Sequence, residues 1–163
     1  MAEKSVKPKT TASDADRELV YTRILDAPRE LVFAAWTDPK HLAQWWGPNG
    51  FTITIRSIDV RPGGEWRFVM HGPDGVDYEN KITYDEIVMP ERLVYSHGGG
   101  DDVEPVQFKT TVTFEDHGGK TKLTMRALFP SATERDRVVE KYGAVEGANQ
   151  TLDRLTAHLG TMA

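Results

Sequence analysis

Hydrophobic positions along the chain follow two periods. "ELVYTRILD", Glu18 to Asp26, is rich in β-branched and aromatic residues and predicts a strand. The pattern then lengthens. In "APRELVFAAW", Leu31, Val32, Ala35 and Trp36 share one helical face, and Pro28 suits a first turn. "TDPKHLAQWW" restarts the helical period, with Asp38 as a cap and Pro39 at the next first turn. Gly47-Pro48-Asn49-Gly50 ends it.

Period two dominates from Phe51 onward. "FTITIRSIDV" alternates Phe51, Ile53 and Ile55 against threonines, and "EWRFVMH" alternates Trp66, Phe68 and Met70 against Glu65, Arg67 and His71. "VDYENKITYDEIV" carries Tyr78, Ile82 and Tyr84 on one face. "ERLVYSH" follows Pro90. "VQFKTTVTF" sets Val106, Phe108, Thr110, Val112 and Phe114 to one side, and "TKLTMRALF" does so with Leu123, Met125 and Ala127. "RPGG", "GPDG" and "DHGGK" are turns between these runs. The series predicts an antiparallel meander of about six or seven strands with one buried face.

The chain closes on a helix. Ser131 and Glu134 match a capping box, and Gly160 matches a stop. A continuous helix between them is about 28 residues, or roughly 42 Å. Its apolar stripe is Val138, Tyr142, Val145, Leu152, Leu155 and Leu159.

Composition narrows the class of function. The chain has 163 residues, a net charge of -5 and no cysteine. That length suits one domain, expected over 17–160 behind a polar, disordered tail over 1–16. Without cysteine there is no disulfide, thiol chemistry or Cys-based zinc site. No apolar run reaches a membrane span, no secretory signal is visible, and a cytoplasmic location is expected. Acids and bases are interspersed, so a basic footprint for nucleic acid is missing.

The order of strand, two short helices, a run of strands and one long terminal helix resembles the helix-grip fold. The motifs "DAPRELVFAAWTDPKHLAQWWGP", "RPGGEWRFVMHGPDG", "EIVMPERLVYS" and "VTFEDHGGKTKLTM" resemble the activator-of-Hsp90-ATPase-like domains of the START/Bet v 1 superfamily. The resemblance spans about Arg17 to Leu159. It implies an α+β fold, a curved sheet wrapped on the C-terminal helix, with a cavity between them. It implies no particular reaction, because fold and function part company.

Candidate site residues follow from the inward faces. Trp45 and Trp46 sit at the mouth where sheet and helix part, one indole expected in the core and the other at the rim. Trp66, Phe68, Met70 and Tyr78 would line an apolar wall, joined by Tyr84, Phe108 and Val112. Thr110 and Ala127 are small where a filled core prefers large residues, and Gly143 and Gly147 interrupt the helix. Asn149 falls on the helix stripe and Asn80 between Tyr78 and Ile82, so both amides need partners. Tyr142 offers a hydroxyl, and Glu146 is the candidate acid for any catalysis.

The five histidines are scattered. None pairs at metal-ligand spacing, and no metal or cofactor motif is present. His97, with Asp101 and Asp102, reads as part of a solvated, glycine-rich hairpin. Arg23 and Arg67 alternate with apolar neighbours and are expected to face outward. The expected function is binding of a small hydrophobic molecule (lipid, aromatic or polyketide-like) as carrier or sensor. The alternatives are a cyclase or hydrolase on the same cavity and a chaperone-activating module, with a homodimer compatible with either.

Overall fold

A computed structural model describes residues 17–99 and 108–162, with all side chains there except those of Lys141 and Tyr142. The tail over 1–16, Val106, Asp101 and Asp102, and the Tyr142 side chain therefore lie outside the described residues.

Strand β1 (Glu18–Leu25) leads into helices α1 (Arg29–Thr37) and α2 (Pro39–Trp45). Six strands follow: β2 (Thr52–Ile58), β3 (Glu65–His71), β4 (Asp77–Val88), β5 (Arg92–Gly99), β6 (Phe108–His117) and β7 (Lys120–Leu128). Helices α3 (Ala132–Tyr142) and α4 (Ala144–Met162) end the chain. The seven strands form one antiparallel sheet in the order β1-β7-β6-β5-β4-β3-β2. The meander pairs sequential neighbours, and β1 closes it by pairing with β7. The register slips at Ile55/Ser57 and at Tyr84/Glu86, and bulges of this kind bend a sheet toward one face.

Helix starts obey their caps. Asp38 Oδ1 accepts from the Lys40 N–H at 3.0 Å, and Ser131 Oγ accepts from the Glu134 N–H at 3.1 Å. The single terminal helix expected from Ser131 to Gly160 is instead two. Gly143 adopts the left-handed conformation (φ 60°, ψ 44°), caps α3 through its N–H to the Val139 carbonyl, and lets α4 start afresh. The second helix also runs past Gly160 to Met162. The break divides the apolar stripe: Leu152, Leu155 and Leu159 are buried, whereas Val145 is 41 % exposed.

Helix α4 packs on α1, α2 and β1, and α1 lies over β6 and β7. Beneath them Val32, Phe33, Trp36, Leu42, Trp45, Phe114 and Leu123 form the main core. A smaller cluster holds Ala127, Phe129 and Val138, with Leu19, Phe108 and Ala144 packed against it.

Candidate functional site

The paired tryptophans part because the helix ends between them. Trp45 is the last residue of α2, and Trp46 is extended (φ -66°, ψ 129°), so the two side chains leave in different directions. Trp45 is fully buried and donates its indole N–H to the Ala35 carbonyl at 2.9 Å. Its ring meets Trp36 edge-on at 4.9 Å. Trp46 lies on the sheet instead, edge-on to Trp66 at 4.9 Å and to Phe68 at 6.1 Å. Trp66 and Phe68 stack at 4.1 Å. Both indoles belong to the main core, 5.5 Å apart, with Trp45 against α1 and Trp46 against the sheet, so neither stands at an open rim. Edge-to-face pairs of this kind add about 0.5–1.5 kcal/mol each beyond area burial.

Helix α4 holds the turn after Trp46 in place. Arg154 Nη1 lies 2.8, 2.9 and 3.1 Å from the carbonyls of Gly47, Pro48 and Phe51. Gln150 Oε1 accepts from the Asn49 N–H at 3.0 Å. Burial lowers the Arg154 pKa, and the carbonyls of the turn after α2 compensate the charge.

Cross-strand register sets the rest of the wall. One row runs Leu19, Ala127, Thr110, Tyr95, Tyr84 across five strands, and the next runs Phe108, His97, Ile82, Trp66, Ile58. Thr110 is buried opposite Tyr95 in the register, and burial pushes the Tyr95 hydroxyl above the usual range. Tyr84 and Trp66 are buried too, and among the described residues the Tyr84 hydroxyl and Trp66 Nε1 have no hydrogen-bond partner. Val112 is fully buried, Met70 half-buried, and Tyr78 is 39 % exposed at the open end beside Phe51.

His97 departs from expectation. It lies on β5 rather than in a solvated hairpin. Its ring sits 5.0 Å from Phe108, 6.2 Å from Phe68 and 6.5 Å from Trp46. Its Nε2 is 2.9 Å from Asn80 Oδ1, and the Asn80 amide nitrogen donates to the Tyr78 carbonyl at 3.0 Å. Burial in this aromatic setting pushes its pKa down to about 4, so the ring is neutral at pH 7. The signal was present: Leu93, Tyr95 and His97 share the period of β5. The run of glycines after His97 masked it.

Arg23 also departs from expectation. Leu19, Tyr21, Arg23 and Leu25 face inward on β1, and Val20 and Ile24 are exposed at 49 % each. Arg23 Nη1 donates to Asp153 Oδ1 at 2.9 Å, and Nη2 to the Asn149 carbonyl and Oδ1 at 3.2 and 3.3 Å. The Asn149 Nδ2 donates to the Val145 carbonyl at 3.1 Å. The amide of Asn149 is thereby engaged with β1 and its own helix. Arg67 faces outward as expected, beside Glu65 at 3.3 Å.

Glu146 is exposed and accepts from Gln150 Nε2 at 3.2 Å. A relay of Thr54, His71 and Asp77, with contacts of 2.7 and 2.8 Å, has the order of a nucleophilic triad. It lies on the convex face in open solvent, where nothing excludes water from a reacting atom. A separate cleft of about 360 Å³ lies between Arg29, Arg92, Phe114, Glu115 and Asp116, at the opposite end of β6 from His97. It is charged and open. Among the described residues no cluster of three or more potential metal ligands occurs, and no helix is long and apolar enough to cross a membrane.

A curved antiparallel sheet holding a terminal helix, with two short helices after its first strand, defines a helix-grip domain. The chain belongs to the family of Activator of Hsp90 ATPase homolog 1-like proteins, whose model matches residues 26–160. Solved structures share its architecture. A protein from Arthrobacter aurescens is 26% identical with a TM-score of 0.84, the match covering 90% of this chain and 88% of that one. One from Nitrosomonas europaea is 25% identical with a TM-score of 0.81, covering 92% and 98%. One from Chromobacterium violaceum is 27% identical with a TM-score of 0.76, covering 88% and 96%. No curated protein matches the chain.

Proposed function

We propose that the domain binds a small, largely apolar molecule between the concave sheet and the C-terminal helices, as a cytoplasmic carrier or sensor. The observation that carries this reading is the division of the core into two clusters. Domains of this size ordinarily bury one contiguous core with small satellite clusters under loops, whereas the second cluster here lies on the sheet itself, across β1, β6 and β7. Here the seam between the clusters follows the rows of Thr110 and His97, and the imidazole bridges Phe68 on one side to Phe108 on the other. A polar ring is a poor filler for an apolar seam, and a good contact for a molecule seated in one. Ala144, next to the Gly143 break, packs on the second cluster from the helix side. An apolar occupant gains about 25 cal/mol per Å² buried, less the cost of association.

Naphthalene and dodecanoate are suitable first probes, read by tryptophan fluorescence. Saturable quenching by at least one probe, weakened in Trp46→Phe, is the expected result. Quenching that stays linear to the solubility limit for both, and is unchanged by the substitution, would sink the reading.

A further inference from the structure

The group that orients the occupant can be read from a chain of hydrogen bonds, given the binding site proposed above. The chain starts on the backbone. The Tyr78 carbonyl accepts from Asn80 Nδ2 at 3.0 Å, which turns the amide oxygen toward His97. His97 Nε2 lies 2.9 Å from that oxygen. A carbonyl oxygen only accepts, so Nε2 must carry the proton. The neutral ring then keeps a bare lone pair on Nδ1. Among the described residues no hydrogen bond reaches Nδ1, and because the residue is only half-buried that edge of the ring is open to an incoming molecule. Because burial holds the ring pKa near 4, that lone pair persists at neutral pH.

The surroundings restrict what meets it. Three flat apolar rings, Trp46, Phe68 and Phe108, stand within 6.5 Å of the imidazole. The concave neighbours Ile82, Tyr95 and Thr110 are uncharged. We infer that His97 Nδ1 is the polar anchor of the site and accepts a hydrogen bond from the hydroxyl of a flat, uncharged aromatic ligand. A plain hydrocarbon leaves the lone pair unmet. A carboxylate opposes it with lone pairs of its own, and among the described residues a cation finds no counter-charge on this wall.

The test compares 2-naphthol with naphthalene on the full chain at pH 7. The two share a ring system, and naphthol is the more soluble in water, so a purely apolar site favours naphthalene. The anchor reverses that order: naphthol should bind about tenfold tighter, the size of one neutral hydrogen bond shielded from water. In His97→Phe the naphthol advantage should vanish and naphthalene should keep its affinity within about twofold. A readout on the unaltered protein guards against a variant that fails to fold. Nitrogen-15 NMR should show the His97 proton on Nε2, and an Nδ1 resonance that moves with naphthol and not with naphthalene. Equal affinities, or a proton on Nδ1 in the free protein, overturn the anchor and leave the binding site standing. Binding of neither probe overturns both.

Discussion

Single residues in this protein act through what the backbone does next to them. Trp45 and Trp46 have the same side chain, but one ends a helix and the other starts an extended turn, so one supports α1 and the other lies on the sheet. Thr121 shows the same economy at smaller scale. It is fully buried on β7, and its hydroxyl donates to the Ala27 carbonyl at 2.7 Å, fixing the entry into α1. Thr121→Val keeps the shape and removes the donor, leaving a carbonyl without its partner. The expected loss is about 1–3 kcal/mol, measured as a lower urea midpoint at unchanged slope. Full stability in that variant would show that water reaches the carbonyl.

Elements meet at a few points of close approach, and the turn over 59–64 is one. The Gly63 N–H donates to the Tyr84 carbonyl at 2.7 Å and the Tyr84 N–H to the Gly64 carbonyl at 2.9 Å, so the turn anchors the bulge of β4. A Cβ on Gly64 would lie 2.1 Å from the Asp59 carbonyl oxygen. Backbone cannot yield there without releasing β4. Gly64→Ala should therefore cost about 2–3 kcal/mol. Gly143→Ala, where the added methyl meets nothing within 4 Å, carries only the strain of a left-handed alanine, about 1 kcal/mol. Thermal melts of the two variants should rank in that order, and the reverse order would contradict the close approach.

At the scale of the whole molecule, two half-buried imidazoles tie stability to pH. The folded pKa of His97, about 4, lies below the value near 6.5 of an unfolded chain. His158, 2.9 Å from His41, is shifted the same way, by burial first and by the charge of His41 second. In acid the unfolded chain takes up protons that the folded one refuses. Stability should be level above about pH 6.5, fall between there and about pH 4, and then stop responding to His97. The His97 share is at most about 3 kcal/mol, less what solvent at the edge of the ring returns. Urea midpoints across that range should decline more steeply in the parent protein than in His97→Phe. Parallel declines would mean the ring titrates normally.

The sequence by itself determined the succession of elements, their caps and most inward faces. Those depend on neighbours along the chain: the period-two runs of β3, β6 and β7, Asp38 before Pro39, Ser131 before Glu134. It carried the phase of β1 less well, because Val20 and Ile24 are as apolar as the residues that point inward. Arg23 reads as outward for that reason, and its role becomes visible only once Asp153 and Asn149 stand opposite it. His97 was legible in period and lost in context. Its meaning comes from Asn80, 17 positions away, which pairing of β4 with β5 brings to 2.9 Å. The helix break at Gly143 and the division of the core likewise depend on contacts between distant segments. Local pattern decides which way a residue faces, and only the folded sheet decides what it faces.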